Sequence, residues 1–219
     1  LAGAHRAGAA APELMLNADI ALIDKPDWFA DWAGGLDAGC TGCILQGLHA
    51  MDGTPRAILP HTYEHDIKAI RLNGVLVGEI GVEAAIAGDF GVPLSLVIAD
   101  SAGAAEARAL LPDAAVVETK VAHSFDGGLC YSLGKNTSAI RSAAEHLARQ
   151  PSRYAAWRVP APVEMSLIFH DRAYTRALHG LYRMKMKDAQ TLVLAGPTVT
   201  AVWAEYWQMK LVALAELAN

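Results

Sequence analysis

Leu94-Ser95-Leu96-Val97-Ile98-Ala99 is an uninterrupted run of strand length without a charge, and Asp100-Ser101 and an alanine-rich stretch from Ala102 to Leu111 follow it. Asp or Ser ahead of an alanine-rich segment caps a helix. Ala115 to Val121 is a second strand-like run. Strand, capped helix and strand make a β-α-β unit, which demands parallel pairing with a right-handed crossover. No other stretch restricts the fold as much. It places the chain in the α/β class, a three-layer α/β/α arrangement whose mostly parallel, mixed sheet is covered by helices.

The flanking segments extend this pattern. Cys43 to Leu48 reads as a buried strand. Lys68 to Leu72 and Val75 to Val77 flank Asn73-Gly74, and Asn-Gly between apolar runs marks a hairpin. Glu79 to Phe90 reads as a helix with Val82, Ala85, Ile86 and Phe90 on one face, ended by Gly91-Val92-Pro93. Ala122 to Lys135 reads as a glycine-rich loop, and Asn136-Thr137-Ser138 caps a helix reaching about Arg149. Gln150 to Pro162 reads as a proline-bearing linker, and Val163 to Phe169 and Thr191 to Leu194 as strands. Pro197 opens a last helix reaching Leu217, on which Trp203, Tyr206, Trp207, Lys210, Leu211 and Leu214 recur at core-facing spacing. Residues 1–150 are expected to form the main α/β region, and 151–219 a smaller C-terminal lobe completing the same domain.

With 219 residues, 53% of them apolar and 19% charged, the chain can bury a sizeable core. The net charge is −5 and no basic block stands out, so a nucleic-acid groove is not expected. No apolar run has the length of a membrane span, so no membrane partner is expected. The opening, LAGAHRAGAAAPEL, has no initiator Met and no signal-peptide pattern, and reads as the middle of a gene product. The three cysteines, an odd number, argue against a disulfide framework and for a reducing, cytoplasmic setting. Cys40-Thr41-Gly42-Cys43 has redox spacing but runs into a strand rather than a helix, so the two cysteines are expected to be small buried hydrophobes.

Three of the eight histidines lie between Gly47 and His65. His49 directly follows a strand, and the carboxyl ends of strands are where α/β sheets bind ligands. Taken alone, it is either a ligand or a satisfied polar residue. His61-Thr62-Tyr63-Glu64-His65 spells H-x-x-E-H, a zinc signature that works on a helix, where both histidines share one face. Pro60 before it and the hairpin after it make Glu64 and His65 exposed positions where a loop enters a strand. Tyr63, Ile67 and Ile70 also fit a helical stripe. Glu79 starts a helix, where the dipole favours a carboxylate; it could equally be a metal ligand folded toward His49.

The run from Gly47 to Ala114 resembles the zinc-dependent D-aminopeptidase family (DppA-like metallopeptidases). It carries Gly47-Leu48-His49-Ala50, a second histidine at His61, the hairpin-to-helix segment Asn73 to Gly81 with Glu79 inside it, and Ile98-Ala99-Asp100. The likeness is dense from about residue 42 to 121 and thinner to the last helix, YWQMKLVALAEL. It implies that His49 and Glu79 are zinc ligands and that His61 is a catalytic residue beside the metal. It also implies two zinc ions activating water, short peptide substrates with an N-terminal D-residue, and a ring-shaped homo-oligomer.

The family's opening strand carries D-x-E-G, which this chain lacks near its start. The histidine of a later D-x-H pattern could correspond to His5, with Gly3 in place of the Asp. His5, His49 and Glu79 are then the expected metal ligands, and the N-terminal part of the family pattern reads as missing. The expected activity is a metal-dependent aminopeptidase or amidase. Two alternatives stand beside it: a non-catalytic oligomeric relative that has lost its metal site, and a single-zinc H-x-x-E-H protease, which requires residues 61–65 to be helical.

Overall fold

A computed structural model of the chain describes residues 36, 39–63, 65–170 and 173–217. Its strands are β1 Cys43–Leu48, β2 Ile67–Leu72, β3 Val75–Val77, β4 Leu94–Asp100, β5 Ala115–Ala122, β6 Gly128–Cys130, β7 Val163–Phe169 and β8 Thr191–Gly196. Its helices are α1 Glu79–Asp89, α2 Ser101–Leu110, α3 Leu133–Arg149, α4 Ala173–Leu181 and α5 Val199–Leu217.

The strands form two four-stranded sheets, β1-β4-β5-β6 and β3-β2-β7-β8. In the first, β1 and β5 flank β4 in parallel and β6 is an antiparallel edge. All seven residues of β4 are buried, which is why its sequence runs apolar without alternating. The expected β-α-β crossover is β4-α2-β5. Helices α1 and α2 cover one face of this sheet through Ile80, Ala84 and Ala107. Helix α3 covers the other through Ile140, Ala143 and Leu147, completing three layers. The second sheet is wholly antiparallel, and β7 alternates between buried and more accessible residues. Its covered face packs on α1, α4 and α5.

Helix α1 belongs to both halves. Val82, Ala85 and Ile86 enter the core of the second sheet, whereas Ile80 and Ala84 enter that of the first. It is therefore buried around its whole circumference from Glu79 to Gly88, apart from the half-buried Glu83. The one-faced stripe expected from Val82, Ala85, Ile86 and Phe90 is incomplete, and Phe90 is exposed. Small residues make this fit possible: a Cβ on Gly88 would sit 2.0 Å from the Trp157 carbonyl oxygen.

Other expectations change in the same way. Gln150–Pro162 is no free linker: Tyr154 is buried, and Trp157 packs against both cores. The glycine-rich loop contains β6. Helix α3 is capped by Ser132, not by Asn136-Thr137-Ser138, because the Asn136 amide bonds the Thr119 carbonyl on β5 at 3.1 Å. Helix α4, in a stretch where the sequence suggested no element, buries Tyr174, Thr175 and Leu178. On α5, Trp203, Tyr206, Trp207 and Lys210 are buried as expected, but Leu211 and Leu214 are exposed and Val202, Met209 and Ala213 take their place. Cys40 and Cys43 are only half-buried, Cys130 is exposed, and none of the three is in a disulfide. Burial, helped by the charge of Glu83, pushes the Cys43 thiol up to about 11, which disfavours the reactive thiolate.

Lys210 is a buried cation among the aromatic rings of α5. Its Nζ donates to Asp66 Oδ2 at 2.9 Å and lies 4.8 Å from the Trp207 ring centroid. Asp66 ends the loop that carries His61, so the pair anchors that loop to α5. Lys210→Met would leave the Asp66 carboxylate buried without its cation and is expected to cost about 3–5 kcal/mol in urea unfolding. The double variant Lys210→Met with Asp66→Leu should recover most of that loss.

Candidate metal centre

The site forms where β1 ends beside the start of α1. Pairing with β4 carries β1 to the carboxyl edge of the first sheet and delivers His49 there. The chain then loops out and returns, with the His61 amide donating to the Ala50 carbonyl at 3.3 Å. The His49 and His61 rings stack, with centroids 3.6 Å apart and planes 21° from parallel. From the opposite side, the β2–β3 hairpin ends at Gly78 and α1 begins with Glu79. Glycine is required at 78, because a Cβ there would lie 2.5 Å from Glu106 Oε1 and 2.8 Å from the Met51 side chain.

Three donors converge. His49 Nε2 lies 3.3 Å and His61 Nε2 3.9 Å from Glu79 Oε1, and one ligand atom from each residue falls within 4.8 Å of the others. All three are largely shielded from solvent. Each histidine has its other nitrogen engaged by a carbonyl: His49 Nδ1 with Ala50 O at 3.1 Å, and His61 Nδ1 with Leu59 O at 2.6 Å. A carbonyl only accepts, so Nδ1 carries the proton in both rings. With neither Nε2 protonated, both lone pairs would face a carboxylate oxygen, acceptor against acceptor. Only a proton or a cation satisfies that arrangement. Glu79 Oε2 is also buried and has no hydrogen-bond partner among the described residues, a costly state for a carboxylate without a cation. Imidazole nitrogens and a carboxylate oxygen are donors suited to zinc.

The electrostatics follow from these contacts. Burial opposes charge on His49, but the hydrogen bond and charge of Glu79 outweigh it, and its pKa is raised. Burial also works against ionising Glu79, yet the His49 contact and the Tyr63 amide prevail, and its pKa is lowered. His61 is lowered, chiefly by burial, and stays neutral.

The surrounding loop is held at several points. Ile58 and Leu59 donate their amides to Asp100 Oδ2 and the Phe125 carbonyl, at 2.9 and 2.8 Å. Glu106 accepts the Met51 amide at 2.8 Å, and Thr62 Oγ1 accepts the Asp52 amide at 3.2 Å. Asp52 Oδ2 pairs with His170 at 2.9 Å. Arg56, Leu59, Tyr63 and His65 all have φ between +48 and +59, a left-handed conformation that non-glycine residues rarely adopt. Such strain collects at functional sites.

The same backbone corrects one sequence reading. With Tyr63 and His65 in the left-handed region, residues 61–63 and 65 are not helical, so H-x-x-E-H cannot act as a helical zinc motif. His65 is exposed as expected, stacked on His61 with centroids 4.2 Å apart. Glu64 and His5 lie outside the described residues. Sequence reasoning brought His49, His61 and Glu79 into view but missed Tyr63, Glu83, Glu106 and the Asp52–His170 pair. Nothing in the local pattern marks those groups, since each meets its partner across a tertiary contact.

Three comparisons with known proteins bear on this geometry. A family model described as D-aminopeptidase matches residues 2–206. A D-aminopeptidase of Bacillus subtilis (strain 168) is 32% identical over 101 residues, which are 46% of this chain and 36% of that protein. The fold is similar to that of the Zn-dependent D-aminopeptidase DppA from Bacillus subtilis, a self-compartmentalizing protease. The TM-score is 0.76 at 21% identity, over 83% of this chain and 66% of that one. Neither match reaches two thirds of the relative's own length, and the structural one bears on the fold alone.

The pH dependence has two opposite signs. Metal binding needs His49 unprotonated, so zinc affinity should fall with decreasing pH, starting above 6.5 because the His49 pKa is raised from that value. In the metal-free chain, the raised His49 contributes stability below 6.5 that is lost as pH rises through its folded pKa. The lowered Glu79 contributes stability above 4.5 that is lost as pH falls through its own. The metal-free chain should therefore gain most from the pair between 4.5 and 6.5, where zinc binding is weakening. Chelator competition and urea unfolding across that range check both signs.

Proposed function

Since this chain belongs to the D-aminopeptidase family, we propose that it is a zinc-dependent aminopeptidase acting on short peptides with an N-terminal D-residue. The observation that carries the reading is the buried meeting of His49 Nε2, His61 Nε2 and Glu79 Oε1, an arrangement suited to a cation. His49 and Glu79, together with His5, are the proposed zinc ligands. The second ion of a two-zinc site would need donors beyond the three gathered here.

A zinc ion supplies Lewis acidity and lowers the pKa of water. The chain's residues do the rest. His61 is neutral, with its Nδ1 proton held by the Leu59 carbonyl, so the Nε2 lone pair can accept a proton from the attacking water. The resulting imidazolium can return that proton to the departing amine. Its ring is stacked on His49 and tied by Nδ1 to the Leu59 carbonyl, so the base stays in place through the cycle.

A homo-oligomer belongs to the same proposal. The Bacillus subtilis protein of similar fold is described as self-compartmentalizing, and here Phe125, Leu129 and Leu133 expose apolar surface that a neighbouring copy could cover. Among the described residues no helix is long and apolar enough to cross a membrane. Cys40, Cys43 and Cys130, none of them in a disulfide, accord with the proposed cytoplasmic setting.

The test is release of D-alanine from D-Ala-D-Ala by the zinc-loaded chain, with L-Ala-L-Ala as the control for handedness. Hydrolysis should disappear with a chelator. His61→Ala should lower kcat by about 100-fold or more while zinc stays bound. His49→Ala and Glu79→Gln should lose zinc, whereas His65→Ala should keep most of the activity. No bound zinc and no D-alanine release would favour the non-catalytic assembly reading.

A further inference from the structure

Tyr63 is the most constrained residue around the centre. Its φ is +58, in the left-handed region that a residue with a Cβ rarely adopts. In that conformation its amide donates to Glu79 Oε1 at 2.7 Å. Its side chain turns to the same helix: the hydroxyl donates to Glu83 Oε1 at 3.1 Å. Glu79 and Glu83 are four residues apart on α1 and share a face. One residue thus grips α1 at two points, by its main chain at the first turn and its side chain at the next. The ring is held from behind by α5, 4.6 Å from Trp203 and edge-on to Trp207 at 6.5 Å.

We propose that Tyr63 is a positioning residue for the metal centre: its side chain, tied to Glu83 and packed on Trp203, holds the strained turn that aims the Tyr63 amide at Glu79. The inference rests on the metal reading above. The amide takes one direction on Oε1 and fixes the rotation of the carboxylate, so Glu79 meets the two histidines already oriented. Outer contacts of this kind commonly change metal affinity by about 10–100-fold. Without the anchor, the turn would relax toward the ordinary right-handed or extended region and carry the amide away.

Tyr63→Gly separates the proposal from a merely local backbone effect. Glycine accepts φ near +58 without strain but has no side chain to anchor. Zinc affinity is measured by chelator competition on the purified chain, with circular dichroism as the check on folding. The cobalt(II)-loaded form reports ligand geometry through its visible absorption. Tyr63→Gly should bind zinc at least about tenfold more weakly and shift the cobalt bands, and Tyr63→Phe, which keeps the ring but not the hydroxyl, should show a smaller change in the same direction. Wild-type affinity and an unchanged cobalt spectrum in folded Tyr63→Gly would overturn the inference. If that variant does not fold, the same two readouts on Tyr63→Phe decide. A wild-type chain that bound no zinc would overturn the metal reading and this inference together, whereas equal binding by wild type and variant overturns this inference alone.

Discussion

Helix α1 is wedged between two sheets, and the positions of the other parts follow from how it is held. Its two faces enter two different cores, so neither sheet can shift against it without opening a cavity. The close approach of Gly88 to the Trp157 backbone and of Gly81 to the Val77 side chain leaves no room to slide. Glu79 stands at the first turn of this immobilised rod. A carboxylate there gains from the helix dipole, and its placement is as rigid as the core behind it.

The histidines reach Glu79 by a different route. His49 is fixed by sheet register, since β1 pairs with the fully buried β4 and ends where the sheet ends. His61 sits on a loop with little regular structure, yet contacts from four directions hold that loop. Asp100, which caps α2 through the Gly103 amide, also takes the Ile58 amide; Phe125 takes Leu59; Asp52 donates to Thr62; Lys210 ties down Asp66. A loop tied in this way can keep several residues at positive φ, because the strain at each is smaller than the cost of releasing the contacts around it. The result is two imidazole nitrogens and a carboxylate held together out of water, an arrangement suited to a cation.

How much was legible beforehand depended on whether the signal was local. Leu94–Asp100 and Asn73-Gly74 carried their structures in their own composition, so β4, α2, β5 and the hairpin lie within a residue or two of where the sequence puts them. Periodicity misled at α1, which is buried all round and so has no single stripe, and at the outer end of α5, where Leu211 and Leu214 fit the apolar spacing but face away from the core. The proline-bearing stretch before β7 read as a linker because nothing in it shows that Trp157 fills the seam between two cores. His49, His61 and Glu79 were legible as a group through family resemblance. Their spacing alone left each of them open, and H-x-x-E-H pointed to the wrong backbone.

The sequence by itself determined the β-α-β unit, the hairpin, the capped helix and the histidines that follow β1, because alternation, capping and turn chemistry act over a few residues. Only the tertiary structure decided that His49, His61 and Glu79 meet within 4.8 Å, that His65 stays outside the trio, and that Tyr63 and Glu83 stand behind the centre. Those contacts join residues 12 to 30 positions apart and are set by how two sheets close around one helix, which no local pattern of residues encodes.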